Sequence, residues 1–156
     1  MNAYLIIGDA KTGKSSLIRC LTGYDQPGIG NFALTNGIII STQVVISALQ
    51  KYSTHSWRIP SNYIQDVQND LKKGLFDSTL KPAILVPLWE HSNNGYPAAS
   101  QYITAFQQAG WLIVKTALLN SQTPPTNYPQ CKAFTGVTSK PINVTAADVR
   151  QHFGWI

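Results

Sequence analysis

Charge is scarce in this chain. Only 12% of its 156 residues are Asp, Glu, Lys or Arg, about half the usual share of a soluble domain. Asn, Gln, Ser and Thr take their place on the surface. Glu90 is the only glutamate, and Arg19, Arg58 and Arg150 are the only arginines. So few arginines leave no cluster to close over phosphates, which counts against a lid-bearing kinase. The two cysteines, Cys20 and Cys131, have no metal-ligand spacing around them. That argues against a zinc site and against a disulfide framework. No apolar run reaches membrane-spanning length. The first residues carry no basic head, long apolar stretch or cleavage site, so no secretory signal is expected. The expected setting is a cytoplasm, that of a host cell if the chain is viral, with no membrane partner. The net charge of +5 is spread along the chain and reads as a mildly basic surface. Nucleic acid is a conceivable partner of such a surface but not the favoured one.

Against this background one short stretch carries most of the chemistry. Gly8-Asp9-Ala10-Lys11-Thr12-Gly13-Lys14-Ser15 fits the pattern G-x-x-x-x-G-K-[ST], which makes a phosphate cradle. Two glycines let the backbone curl so that successive N–H groups converge on an anion. Lys14 can reach the β- and γ-phosphates, and the Ser15 hydroxyl can hold Mg²⁺. The following helix turns its unpaired N–H groups and positive dipole end toward the same charge. The cradle is expected to run from Gly8 through Ser16. Its flanks agree: Ala3 to Ile7 is a short apolar run that reads as a buried strand. Ser15 to Leu21 reads as a helix, with Leu17, Ile18 and Leu21 on one face and Gly23 as its stop.

On these residues the chain resembles the P-loop NTPase superfamily, over about its first 20 residues. The resemblance implies binding of a Mg²⁺-nucleoside triphosphate through Gly8, Gly13, Lys14 and Ser15. It does not by itself imply hydrolysis.

Downstream, Tyr24 to Thr35 contains Pro27, Gly28 and Gly30 and reads as a loop. Gly37 to Ser41 is β-branched and strand-like. Thr42 is placed to cap a helix running to about Tyr52, and Ser61 a second helix ending at Gly74. Ala83 to Val86 is the best buried strand after the first. Pro97 stands near a helix N-terminus, and that helix continues to Gly110. Trp111 to Val114 is another strand, Ser121 to Gln130 an extended loop, and Ala133-Phe134 with Val137 a short last strand. Thr145 to Asp148 reads as a capping-box variant opening a C-terminal helix. The stretch from Tyr24 to Lys81 leaves room for an antiparallel strand or extra helices. The expected architecture is one α/β domain over residues 1–156, a three-layer sandwich with a mainly parallel sheet, P-loop NTPase-like. Ligand is expected at the carboxyl ends of the strands.

Hydrolysis would need more. P-loop hydrolases usually carry a strand that ends in Asp, which holds Mg²⁺ and positions water. No strand read here ends that way. The nearest substitute is Glu90, at the carboxyl end of the strong strand. If that strand lies beside the first, Glu90 faces the phosphates as a catalytic residue alongside Lys14. His91 would orient Glu90 or sit in solvent. Asp25, Thr35, Ser41 and Thr42 are further candidates for a Mg²⁺-approaching loop. Lys11 adds a second charge over the phosphates or points outward. Arg58 and Arg150 are candidate arginine fingers, and Trp57 and Trp89 candidate base-stacking rings.

GTP-binding switch proteins are similar from Gly8 to Gly23. They also need a D-x-x-G and an N/T-K-x-D, and neither is present. Val114-Lys115-Thr116-Ala117 has the lysine without the aspartate, and Thr138-Ser139-Lys140 resembles the last guanine-contact loop only weakly. ATP is therefore preferred over GTP. The leading expectation is a small Mg²⁺-dependent ATPase. The alternatives are a nucleotide-dependent interaction module with a protein partner or a second copy, a GTP-binding switch-like protein, and a small kinase.

Overall fold

The computed structural model describes residues 1–23, 28–33, 39–44, 55–72 and 83–155. Six strands form a single sheet in the order β2-β3-β4-β1-β5-β6. They are β1 (Asn2–Ile7), β2 (Gly28–Ala33), β3 (Ile39–Val44), β4 (Ala83–Leu88), β5 (Leu112–Leu119) and β6 (Cys131–Phe134). Among the described residues four α-helices accompany them: α1 (Lys14–Thr22), α2 (Pro60–Lys72), α3 (Ala99–Gln108) and α4 (Ile142–Phe153). β3, β4, β1, β5 and β6 run parallel. Only β2 is antiparallel, to β3.

The strands in the middle are apolar along their whole length because both of their faces are covered. Every residue of β4 is buried. Along β1, Ala3, Leu5 and Ile7 enter one core and Ile6 enters the other. The first core joins the sheet to α2 and α3 through Tyr63, Val67, Tyr102 and Phe106. The second joins it to α1 and α4 through Leu17, Ile18, Leu21, Val149 and Phe153. The result is a three-layer α/β arrangement, as expected. Pro87 cannot donate to a ladder. Among the described residues β3 pairs with β4 at Ala83 to Leu85, so the missing donor lies beyond that stretch, opposite Ile6 of β1.

Adjacent strands β1 and β4 send their following helices to opposite faces: α1 lies on one core and α3 on the other. Such a divergence opens a crevice at the carboxyl ends of the strands, which is where open α/β sheets place ligands.

Several boundaries differ from the sequence reading. Gly28–Ala33 is a strand rather than part of a loop, paired with β3 from Gly28↔Val44 to Ala33↔Ile39. Thr42 does not cap a helix: it lies in β3 between Gly30 and Ala83. Pairing on both sides overrides a local capping signal there. The rest of that expected helix, and Gly74, lie outside the described residues. α2 starts at Pro60, a residue suited to a first helical turn, so Ser61 is already inside it. β5 runs on to Leu119, which puts Lys115 in mid-strand. Val137 belongs to a 3-10 turn and not to β6. α4 begins at Ile142 behind Pro141. Thr145 is therefore a buried residue of the first turns, 3% exposed, and not a cap. Among the described residues no helix is long and apolar enough to cross a membrane.

Candidate functional site

The loop after β1 is pinned at both ends. The Gly8 N–H donates to Leu88 O of β4 at 3.1 Å, and the Leu17 N–H closes α1 onto Gly13 O at 2.9 Å. Gly8 has no room for a side chain: a Cβ would lie 2.5 Å from Thr12 Oγ1 and 3.3 Å from Leu119 Cβ. Thr12 Oγ1 in turn donates to Asp9 O at 2.7 Å, which ties the far side of the loop to its start.

Within the loop Lys11 (φ 63°) and Gly13 (φ 88°) both take the left-handed conformation. A non-glycine residue holds that conformation at a cost of about 1–2 kcal/mol. Left-handed residues interleaved with others turn successive amides to one side and form an anion nest. The amides ahead of Leu17 also precede the first intrahelical bond of α1, so helix geometry leaves them aimed outward. The Lys11 side chain is exposed. It points to solvent. Ala10 and Ser16 are also exposed, and Ser15 is half-buried in the first turn of α1.

Lys14 is the most informative side chain. It is 4% exposed, and its ammonium donates to Gly8 O at 2.6 Å and to Asp9 O at 2.8 Å. An ammonium has three donors. Two brace the loop across its width, which leaves one donor over among the described residues. Burial pulls the Lys14 pKa from 10.5 down to about 8, against a smaller upward pull from Asp9. A negative charge placed beside this buried ammonium would favour its protonated form.

Glu90 follows β4, and β4 does lie beside β1. The carboxylate is grouped with Asp9 and His91: one ligand-type atom from each lies within 4.8 Å of the other two. His91 does not orient Glu90. Its Nδ1 sits 3.0 Å from both Asp9 carboxylate oxygens, and its main-chain N–H donates to Asp9 Oδ1 at 3.2 Å. The hydrogen bond and charge of Asp9 raise the His91 pKa above 6.5. The sequence reading missed this link. Asp9 and His91 are 82 residues apart, and no spacing rule joins them.

Beside the loop, Asn120 Oδ1 accepts from the Val137 N–H at 2.9 Å. A Cβ on Gly13 would find Val137 and Ile142 side chains at 3.8 Å. The ends of β5 and β6 therefore flank the cradle.

The other candidates go elsewhere. Arg150 donates to Cys20 O at 2.8 Å and Leu21 O at 3.2 Å. It holds the last turn of α1, the end of that helix away from the glycine loop. Arg58 lies 5.5 Å over the Tyr96 ring, against Gly95. Trp89 is 5% exposed and packs on Tyr96 at 5.1 Å. Trp57 donates to Asp66 at 2.6 Å and meets Tyr63 edge-on. Both rings are spent on packing. Cys20 and Cys131 are free thiols. Asp25 and Thr35 lie outside the described residues, as do the side chains of Ser41 and Thr42.

No family model matches the chain, and no curated protein or solved structure matches it.

Proposed function

We propose that this chain binds a Mg²⁺-nucleoside triphosphate at the loop from Gly8 to Ser16 and hydrolyses it slowly, as a small P-loop NTPase-like protein. The observation that carries the reading is Lys14. It is buried, stretched across the loop and braced on two carbonyls, beside a left-handed Gly13 and the start of a helix. Main-chain amides and the ammonium would hold the phosphates, and the Ser15 hydroxyl would join the phosphate oxygens around Mg²⁺. Glu90 would polarise the attacking water. ATP is the preferred nucleotide, GTP the next. The cytoplasm, where both are abundant, is the proposed setting.

A second reading is nucleotide-dependent binding of a protein partner or a second copy with no turnover. Trp89 favours it. The first residue past β4, where hydrolases of this kind usually carry Asp, is a tryptophan turned into the core.

Both readings predict a rise in melting temperature with ATP and Mg²⁺ that is lost in Lys14→Ala. Phosphate release in wild type, reduced in Glu90→Gln, selects the first. A melting shift without phosphate release selects the second. No shift with any nucleoside triphosphate rejects both.

A further inference from the structure

On the α2 and α3 side of the sheet, the segment after β4 holds polar atoms that its surroundings leave unmatched. Trp89 is 5% exposed and Tyr96 2%. The Trp89 indole Nε1, the Tyr96 hydroxyl and the Arg58 Nε are all buried, and none has a hydrogen-bond partner among the described residues. Buried polar groups in native proteins are nearly always paired. Three unpaired ones side by side call for a group that can serve them together.

The three are neighbours. The Trp89 and Tyr96 ring centroids stand 5.1 Å apart, and Arg58 Cζ lies 5.5 Å from the centre of the Tyr96 ring. Main-chain bonds set this arrangement. Asn93 and Tyr96 exchange N–H···O bonds at 3.0 and 2.8 Å, and the Ala99 N–H donates to Trp89 O at 2.8 Å. A Cβ on Gly95 would stand 2.9 Å from Arg58 Nε and 3.1 Å from both Cδ and Cζ. Distances so nearly equal put Gly95 over the flat face of the guanidinium and not at its N–H edge. The Nε–H, which lies on that edge, is the donor left over.

The chemistry of these atoms selects their occupant. Guanidinium and indole N–H groups only donate, and a phenol donates as readily as it accepts. Three donors ask for a shared acceptor. Arg58 has no ion pair among the described residues, and a buried charge without a counter-charge is costly, so the acceptor is anionic. The edge of a guanidinium takes a carboxylate through two parallel N–H···O bonds. Arg58 is the one cation placed against these rings among the described residues. It balances a single negative charge, as a carboxylate has, whereas a phosphate monoester carries about −1.5 to −2.

We propose that Arg58, Trp89 and Tyr96 bind the carboxylate of a small-molecule ligand. Arg58 pairs with it edge-on, and the indole and the phenol donate to the same group. Arg58 is half-buried, so its guanidinium links the buried donors to the surface. The site is separate from the glycine loop and does not depend on the nucleotide reading. The two sites border one another: the segment after β4 meets Asp9 through His91, and Arg58 through Gly95 and Tyr96.

The test is an acetate titration of the full chain without nucleotide, at ionic strength held constant with chloride, followed by proton–nitrogen NMR. The Trp89 Nε1–H and Arg58 Nε–H signals, assigned from Trp89→Phe and Arg58→Lys, are expected to shift together and to saturate with one midpoint. Inorganic phosphate should bind more weakly than acetate. Arg58→Met should weaken acetate binding at least about tenfold, the loss that follows removal of a charge-assisted hydrogen bond. Tyr96→Phe keeps the ring, removes only the hydroxyl and should also weaken binding. Lys14→Ala should leave it unchanged, and anion-free melting curves check that each variant is folded. A drift that does not saturate, tighter binding of phosphate, or wild-type acetate affinity in both Arg58→Met and Tyr96→Phe overturns the proposal. So does a pair of signals that ignores acetate and shows cross-peaks to water, the mark of an internal water in place of a carboxylate.

Discussion

Gly8 and Thr12 stand so close that a methyl group on Gly8 would sit 2.5 Å from the Thr12 hydroxyl oxygen. That hydroxyl is engaged with Asp9 O, so it cannot swing away without loosening the loop. Gly8→Ala is expected to destabilise the protein by about 1–3 kcal/mol, the usual cost of overpacking. It should also abolish the ATP-dependent melting shift. Urea denaturation and thermal melts with and without nucleotide check both.

Lys14 gives the stability a recognisable pH dependence. Its pKa is 10.5 in the unfolded reference and about 8 in the folded chain. Between these values the unfolded state binds more protons, so stability rises with pH across that window. Below about pH 8 the burden of a buried charge is fully present. It amounts to at most about 3 kcal/mol for a shift of this size. Lys14→Met should lack this rising contribution between pH 8 and 10. The check is urea melts of both proteins at several pH values, since buried tyrosines and Cys131 contribute equally to each. Parallel pH profiles would show that the ammonium is not desolvated.

Arg150 closes the C-terminal end of α1 through Cys20 O and Leu21 O. Removing a charged donor from such bonds costs about 1–3 kcal/mol. Arg150→Ala should therefore melt earlier, while phosphate release per folded molecule stays at the wild-type value. A finger role would give the reverse: unchanged stability and lost turnover.

Phe106 is fully buried and stacks on Trp111 with ring centroids 4.7 Å apart. Phe106→Ala is expected to cost about 3–5 kcal/mol, read by urea denaturation. Its position on α3, behind the sheet, predicts no change in nucleotide affinity for the fraction that remains folded.

Much of the centre of the fold was legible because its signals are local. β1 and β4 are covered on both faces and so read as unbroken apolar runs. The glycine loop is a contiguous motif, and α1 ends at Gly23 as its sequence suggests. What escaped depends on partners far away in sequence. β2 contains two glycines and looks like a loop until β3 pairs with it, although Asn36-Gly37 between them is a turn signal. Thr145 resembles a cap, but Pro141 starts α4 one turn earlier. Arg150 and His91 each bind a group that only the folded sheet brings near. Glu90 was located correctly at the end of β4, whereas its neighbour Asp9 was not foreseen as a companion.

The 82 residues that separate Asp9 from His91 have a consequence for biosynthesis. The loop after β1 is synthesised before β4, the strand that anchors it. Pairing of parallel strands across such a span is slow. Until it happens, β1 is a bare apolar segment, and the loop has neither the Leu88 anchor nor the His91 contact. The loop therefore gains both anchors together, when the two strand ends meet.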